Sequence, residues 1–114
     1  ISWGICLKSD NKVIGTIGYV NIDKDNFRAE IGYMLHPGFH KQGIMQEAIL
    51  PIIEFGFSVM QLHSIEANVN PENTASKNIL VKNGFVQEAY FKENFYYQGQ
   101  FLDTVIFSLL QNRN

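Results

Sequence analysis

Gly43 stands at a junction whose residue types suit the binding of an anion. Residues 27–35 upstream read as a strand, the loop 36–41 follows, and from Ile44 to Met60 apolar residues recur every three to four positions, as in a helix. The first amides of a helix lack intrahelical partners, and the aligned peptide dipoles add about half a positive charge there. Glycine has no Cβ, so a ligand can come close to its backbone. The junction therefore predicts a phosphate-binding site.

The elements that position this junction follow from periodicity and turn residues. The predicted strands are Ile1–Leu7, Val13–Ile22, Phe27–Leu35, His63–Val69, Phe85–Phe91 and Phe101–Leu110, and the predicted helices are Gly43–Met60 and Thr74–Lys82. Pro51 predicts a kink between Glu47 and Pro51 rather than a helix end, because the apolar period continues through it. Asn73 suits the N-cap of the second helix, and Gln98-Gly99 is the turn signal of a closing hairpin.

The order of these elements predicts an α/β (α+β) fold with a mixed, mostly antiparallel sheet and two main helices. Short polar turns join the first three strands into an antiparallel meander. A long helical connection then makes Ala29–Leu35 and Ser64–Val69 parallel neighbours, since parallel strands need a crossover connection. We expect one domain over residues 1–114, because this length with 46% hydrophobic residues suffices for a single core.

Composition and charge exclude several classes of function. A net charge of −2 gives no general attraction to nucleic acid or to a membrane surface, and no apolar run reaches the roughly 18 residues of a membrane span. The single cysteine, Cys6, excludes an internal disulfide, so a cytoplasmic location is the default. His36, His40 and His63 lack the spacing of metal ligands, and we therefore expect no metal. The chain begins at Ile1 without methionine, inside a strand-like run, as a fragment would.

The junction resembles the acetyl-CoA signature of the GNAT superfamily of N-acetyltransferases, and most closely the branch of ribosomal-protein N-terminal acetyltransferases. The resemblance rests on a strand, a loop closing on His40-Lys41-Gln42-Gly43-Ile44-Met45, and Glu47-Ala48 on the helix. In that family the loop and the helix start hold the pyrophosphate of coenzyme A through main-chain amides. The usual pattern is Gln or Arg, two residues, Gly, one residue, then Gly or Ala. This chain differs by having His40 and Met45 in the first and last places.

The second half of the chain is similar to the same family. Asn70-Pro71-Glu72-Asn73-Thr74-Ala75-Ser76 resembles its second coenzyme-binding helix, and Gly99-Gln100-Phe101-Leu102-Asp103 resembles the closing hairpin of the ribosomal-protein branch. The resemblance covers Ile14 to Leu110 and implies the GNAT fold. The N-terminal strand and helical pair of the family have no counterpart before Ile1, which implies exposed sheet edges that favour a homodimer.

The resemblance implies that acetyl-CoA binds between two diverging parallel strands. Where Ala29–Leu35 and Ser64–Val69 splay, they would leave main-chain groups unpaired, and extended pantetheine can complete those hydrogen bonds like an added strand. Gly32 suits the bulge that such a splay needs. A main-chain amide near Met34 or Leu35 would receive the charge that grows on the acetyl oxygen. The implied coenzyme-binding residues are Met34, Leu35, His40, Lys41, Gln42, Gly43, Ile44, Met45, Asn70, Asn73 and Ser76.

Three residues are candidates for catalytic roles in acetyl transfer to an amine. Glu30 lies on the strand that lines the gap and can act as the base directly or through water, although a simple ion pair at the core edge explains it equally well. Glu93 is close to the place of a catalytic glutamate in the resembling branch, with a solvated loop residue as the alternative. Ser76 can donate a hydrogen bond to the departing thiolate or can be a helix serine with no role, and Tyr33 or Tyr90 can fill the same place.

Three functions remain open at this level. The leading one is acetyl transfer from acetyl-CoA to a protein N-terminal amine, which needs only a weak base because its pKa is about 8, against about 10.4 for lysine. The acceptor can instead be a small-molecule amine such as an aminoglycoside, a polyamine or a sugar amine. The third interpretation is a module that binds acyl-CoA without turnover. Lys41 and Lys77 either meet the ADP phosphates or are only solvated.

Overall fold

A mixed six-stranded sheet carries both helices on one of its faces. The computed structural model describes residues 1–111. The strands are β1 (Ser2–Cys6), β2 (Val13–Asp23), β3 (Arg28–Leu35), β4 (Ser64–Val69), β5 (Val86–Tyr97) and β6 (Gln100–Leu110), and the helices are α1 (Ile44–Ser58) and α2 (Thr74–Lys82), with a 3₁₀ turn at Pro37–Phe39. The strand order is β1-β2-β3-β4-β6-β5, and only the β3–β4 pair of the described strands is parallel. The predicted meander, crossover and fold class are confirmed.

The hydrophobic core lies between the two helices and alternate residues of the strands. Ile31 of β3 and Ile65 of β4 are almost fully buried, as are Ile49 of α1 and Leu80 of α2. These strand residues lie two positions apart from other buried residues of their strands, which is the period of a sheet with one covered face. The core therefore ties both helices to the same face and leaves the other face of the sheet to solvent.

Helix α1 continues through its proline, as the apolar period predicts. Pro51 lies inside the helix with its ring exposed, and α1 ends at Ser58, two residues before the predicted end. Next to the proline, the Tyr19 hydroxyl donates a 2.7 Å hydrogen bond to the carbonyl oxygen of Ile52. Gly56 allows this contact, because a Cβ there would lie only 2.4 Å from the Tyr19 hydroxyl oxygen. The α1 helix is thus held closely against β2.

The final hairpin is longer than the sequence predicts. The expected strand end at Phe91 is wrong, because β5 continues to Tyr97 beyond a bulge in which residues 92–94 face Asp103 alone. Asp103 accepts hydrogen bonds from the Glu93 amide (2.8 Å) and the Tyr90 hydroxyl (2.5 Å), so the extra residues are absorbed without ending the strand. The turn at Gln98-Gly99 is confirmed, with φ of 48° and 80° as a type I′ hairpin turn requires.

The parallel strands β3 and β4 separate after a short paired stretch. Within residues 1–111 their pairing is confined to Arg28–Glu30 with Ser64–Glu66, so the predicted splay is confirmed. The predicted bulge at Gly32 is wrong, because Gly32 stays in regular register with Gly18 of β2. The bulge of that ladder lies instead on β2 between Val20 and Asp23. Strand β3 can leave β4 without losing its pairing with β2, and for this reason Gly32 needs no bulge.

The outer strands of the sheet are β1 and β5. Among the described helices, none combines the length and the hydropathy required to cross a membrane. The homodimer expected from exposed sheet edges stays a prediction.

Candidate active site

The gap between β3 and β4 opens into a cleft of about 240 Å³ beside the start of α2. Gly32 and Tyr33 line it from β3, Asn68 lines it from β4, and Asn73 and Ser76 line it from α2. The cleft thus lies where the sequence predicts a coenzyme channel.

Strand alternation shows which main-chain groups face this gap. The amide of His36 donates to the carbonyl of Ile14 on β2, so even-numbered residues of β3 direct their main-chain groups towards β2. The main-chain groups of Tyr33 and Leu35 therefore face the gap. The amide of Gln111 donates to the carbonyl of His63, so odd-numbered residues of β4 direct their main-chain groups towards β6. By the same alternation, the main-chain groups of Asn68 face β3. Of the two amides predicted as oxyanion donors, that of Leu35 faces the gap, whereas that of Met34 faces β2.

The loop before α1 is held in shape by its own hydrogen bonds. The His40 ring donates from Nε2 to the carbonyl of Leu35 at 2.8 Å, which ties the loop to the end of β3. Gln42 donates from its side chain to the Gly38 carbonyl. Lys41 and Gly43 have positive φ values of 63° and 74°. Backbone amides before and after such residues converge into a concave surface that suits anions.

The start of α1 is open to a ligand. No described side chain caps the helix at Gly43, and, apart from its two chain neighbours, no described residue has an atom within 4 Å of the position that a Cβ of Gly43 would take. The free amides of the first turn begin with Ile44 and Met45. The Met45 side chain is buried in the core, so at this site the residue offers only its amide. This arrangement fits a diphosphate, which needs convergent N–H donors and room for its oxygens.

The start of α2 places two asparagines at the cleft. The Asn73 side-chain oxygen accepts the Ser76 amide at 3.1 Å and so caps the helix, as the sequence predicts. The Asn70 side-chain oxygen accepts the Glu72 amide at 2.8 Å. Because an asparagine oxygen occupied in this way leaves the NH₂ group as the donor, both side chains can offer N–H groups to the cleft.

A pair of hydroxyl groups spans the cleft on the helix face of the sheet. Tyr33 and Ser76 share a hydrogen bond with their oxygens 2.5 Å apart, and Ser76 is buried. Burial raises the pKa of the Tyr33 phenol, and the bond to Ser76 opposes this shift only in part. The phenol is therefore neutral at physiological pH. The sequence presents the two residues as alternatives for one role, whereas the structure brings them into contact.

Glu30 lies on the opposite face of the sheet from these hydroxyls. Its neighbours Ala29 and Ile31 are buried in the core, so the side chain of Glu30 points to the other face. The side-chain amide of Asn21 donates to the Glu30 carboxylate at 2.9 Å. Glu66 is the register partner of Glu30 on β4, where the two strands begin to separate. Asn21 was not foreseen from sequence, because the β2 bulge that brings it to Glu30 has no local signal.

The other predicted site residues lie further out or at the surface. Glu93 sits in the β5 bulge with φ of 51°, exposed to solvent, and Tyr90 is bonded to Asp103 of the same hairpin. The bond to Asp103 raises the pKa of Tyr90 and lowers that of Asp103. Neither Glu93 nor Tyr90 is among the residues that line the cleft.

Lys41 is exposed and Lys77 is half-buried on α2. Over residues 1–111, no three His, Cys, Asp or Glu side chains are grouped to hold a metal ion.

Comparisons with known proteins agree with this geometry. The family model described as an acetyltransferase (GNAT) domain matches residues 1–86. YoaA of Bacillus subtilis (strain 168), named as an uncharacterised N-acetyltransferase, is 35% identical over 113 residues, 99% of this chain and 64% of the relative. The solved structure of a ribosomal-protein-S5-alanine acetyltransferase from Vibrio fischeri is 34% identical with a TM-score of 0.85, over 90% of this chain and 57% of that chain. Spermidine N(1)-acetyltransferase of Vibrio cholerae is 24% identical over 105 residues, 92% of this chain and 61% of the relative.

The matched region includes every element of the cleft. Residues 1–86 contain β3, the loop before α1, β4 and α2, which together form the gap and its hydroxyl pair. The chain spans about three fifths of the length of the curated relatives that it matches. With a diverging strand pair, an uncapped helix start and a family match over most of its length, the chain belongs to the GNAT family of acetyltransferase domains.

Proposed function

We propose that this protein transfers the acetyl group of acetyl-CoA to a primary amine, with both substrates bound at once. The observation that carries the proposal is a gap through the sheet with hydroxyl groups on one face and a carboxylate on the other. Acyl transfer to an amine needs a donor near the departing sulfur and an acceptor for the proton of the amine. The gap offers these two functions on opposite sides of one channel.

The site has groups that fit each part of coenzyme A. The uncapped first turn of α1 and the space over Gly43 suit the diphosphate. The main-chain groups of Tyr33, Leu35 and Asn68 suit the two amides of extended pantetheine. Acetyl-CoA, as a substrate, supplies the acetyl thioester. The exposed side chain of Lys41 adds positive charge near the predicted diphosphate position.

Each catalytic role falls to a group at the gap. The Leu35 amide donates to the acetyl oxygen as negative charge grows on it. The Ser76 hydroxyl donates a hydrogen bond to the sulfur as the carbon–sulfur bond breaks. Glu30, held by Asn21, receives the proton of the amine. Glu30 and Tyr33 are three residues apart on β3, about 10 Å, so a water between Glu30 and the amine suits this spacing.

A protein N-terminal amine is our first choice of acceptor. With a pKa of about 8, on the order of a tenth of such amines is neutral at pH 7, so a carboxylate acting through water suffices. The Vibrio fischeri neighbour, named as a ribosomal-protein-S5-alanine acetyltransferase, supports this choice.

A small polyamine is the second candidate. It is favoured by the register pairing of Glu30 with Glu66, since both carboxylates lie on the face away from the helices and attract a cation. The Vibrio cholerae relative named as a spermidine acetyltransferase supports this alternative.

Release of free thiol from acetyl-CoA tests the proposal over a panel of peptides with free N-termini, polyamines and aminoglycosides. We expect thiol release that depends on the amine, fastest with peptides. Glu30→Gln and Ser76→Ala should each lower kcat about a hundredfold with little change in the affinity for acetyl-CoA. Glu54→Gln on the exposed side of α1 is the matched control and should behave like the unsubstituted protein. Binding of acetyl-CoA without thiol release would identify an acyl-CoA-binding module instead.

A further inference from the structure

We infer that Tyr33 is a positioning residue, whose phenol donates to the Ser76 oxygen and so leaves the Ser76 proton free for the departing sulfur. This inference rests on the proposed function and adds to it a residue that never touches the acetyl group. Its basis is the direct contact between the two hydroxyls across the cleft, between β3 and α2.

The backbone of Ser76 is fixed independently of Tyr33. Its amide is bonded to the Asn73 side chain, which caps α2, and the residue is buried. What remains to be set is the direction of the hydroxyl proton. The phenol oxygen of Tyr33 lies 2.5 Å from that hydroxyl.

Only one of the two protons can lie between the two oxygens. A hydroxyl has one O–H donor and two lone pairs. If Ser76 donates to Tyr33, its proton is not available to the sulfur. If Tyr33 donates to Ser76, the Ser76 proton is free to point into the gap. A phenol is a stronger donor than an aliphatic alcohol, and a thiolate that forms in the gap attracts the free proton. Both effects favour Tyr33 as the donor.

Tyr33 keeps its proton throughout the reaction. Burial raises the pKa of its phenol above the ordinary value of 10, while a free thiol has a pKa of about 8.5. Transfer of the phenol proton to the thiolate is therefore uphill. The amine nitrogen forms a bond to the acetyl carbon and its proton goes to Glu30. The carbon–sulfur electron pair goes to sulfur, and the thiolate leaves while it accepts a hydrogen bond from Ser76. Donation by Tyr33 strengthens that bond, because linked hydrogen bonds polarise one another.

A double-mutant cycle on the single-turnover rate constant of acetyl transfer tests the inference. We expect Tyr33→Phe to lower the rate constant about tenfold, a loss of about 1.4 kcal/mol of transition-state stabilisation, without changing the Kd for acetyl-CoA. In the Ser76→Ala background the same substitution should have no effect, because the hydroxyl through which Tyr33 acts is gone. Equal slowing in both backgrounds, or no slowing in the unsubstituted protein, would overturn the inference.

Tyr19→Phe is the matched control, because it also removes a buried phenol hydrogen bond on the helix face of the sheet. Tyr19→Phe should lower thermal stability but change the rate constant little. Any factor by which it changes the rate constant should be the same with and without Ser76→Ala. If Tyr33→Phe lowers stability too far for kinetics, fluorotyrosine at position 33 keeps the ring and strengthens the donor. The rate constant should then change only in the protein that retains Ser76. An equal change in the Ser76→Ala protein would contradict the inference. A protein that releases no thiol with any amine would overturn the proposed function itself, and this is measured first.

Discussion

Gly43 and Gly99 adopt the same left-handed backbone conformation for different purposes. Their φ values are 74° and 80°, and, apart from chain neighbours, no described residue has an atom within 4 Å of a Cβ placed at either position. At Gly99 the conformation closes the hairpin between β5 and β6. At Gly43 it begins α1 and leaves its first amides without a side-chain cap among the described residues. A comparison of alanine substitutions at these two glycines therefore distinguishes the effect of backbone strain from an effect on ligand binding.

We predict that Gly43→Ala weakens coenzyme A binding about tenfold, because its Cβ enters the space proposed for the diphosphate. Both Gly43→Ala and Gly99→Ala should lower the free energy of unfolding by about 1 kcal/mol, the cost of a left-handed alanine. Titration calorimetry with coenzyme A and chemical unfolding measure the two effects. Equal coenzyme affinity in the two variants would remove Gly43 from the binding site.

At the scale of elements, β3 has two different edges. Towards β2 it is paired along almost its whole length, whereas towards β4 its pairing stops at Glu30. Because main-chain groups alternate between the two edges, successive amides of one strand have opposite environments. The amides of Gly32 and Met34 are directed at β2, and those of Tyr33 and Leu35 are directed at the gap. A ligand in the gap should therefore change the surroundings of the Tyr33 and Leu35 amides but not those of the Gly32 and Met34 amides.

We predict this alternation in amide hydrogen exchange. Without ligand, the amides of Tyr33 and Leu35 should exchange faster than those of Gly32 and Met34, because the gap edge lacks a strand partner. Saturating coenzyme A should slow exchange at Tyr33, Leu35 and Asn68 and leave Gly32 and Met34 nearly unchanged. Exchange followed by NMR with and without coenzyme A gives the pattern. Similar protection of Tyr33 and Met34 in the free protein would mean that β3 and β4 are paired along their full length.

At the scale of the whole molecule, the sheet is covered on one face only within residues 1–111. Both helices pack on the face of Ile31 and Ile65, while Val20 and Met34 are 52% and 71% exposed. The proposed coenzyme groups lie on the covered face and Glu30 lies on the open one. In the proposed complex, the two substrates would therefore approach the gap from opposite faces of the sheet.

We predict that coenzyme A stabilises the whole fold, since the proposed site joins α1, α2 and the two diverging strands. At a free concentration about 100 times its Kd, the gain in unfolding free energy is about 2.7 kcal/mol. For a domain of this size the unfolding midpoint should rise by about 10 °C. Calorimetric scans across a coenzyme concentration series measure the rise, with the Gly43→Ala protein as the comparison. A midpoint that does not depend on coenzyme concentration would argue against a site that joins these elements.

The sequence by itself determined those features that are decided within a few residues. The cap at Asn73 and the turn at Gln98-Gly99 were predicted at their observed positions, and the helix predicted from Gly43 begins one residue later, with Gly43 as its N-cap. Each depends on local backbone chemistry, namely a positive φ or a side chain that bonds an amide three residues away. The crossover between β3 and β4 followed from the length of the connection between them.

Only the tertiary structure decided which distant side chains meet. Tyr33 and Ser76 are 43 positions apart, and their contact depends on how α2 docks on the sheet. Asn21 reaches Glu30 through a bulge on β2, and β5 outlasts its predicted end because Asp103 on the opposite strand holds its extra residues. Register, bulges and docking are set by the summed packing of many residues that are far apart in sequence. No local sequence pattern encodes these features. The sequence therefore identified the candidate residues one by one, and only the fold showed which of them lie in contact.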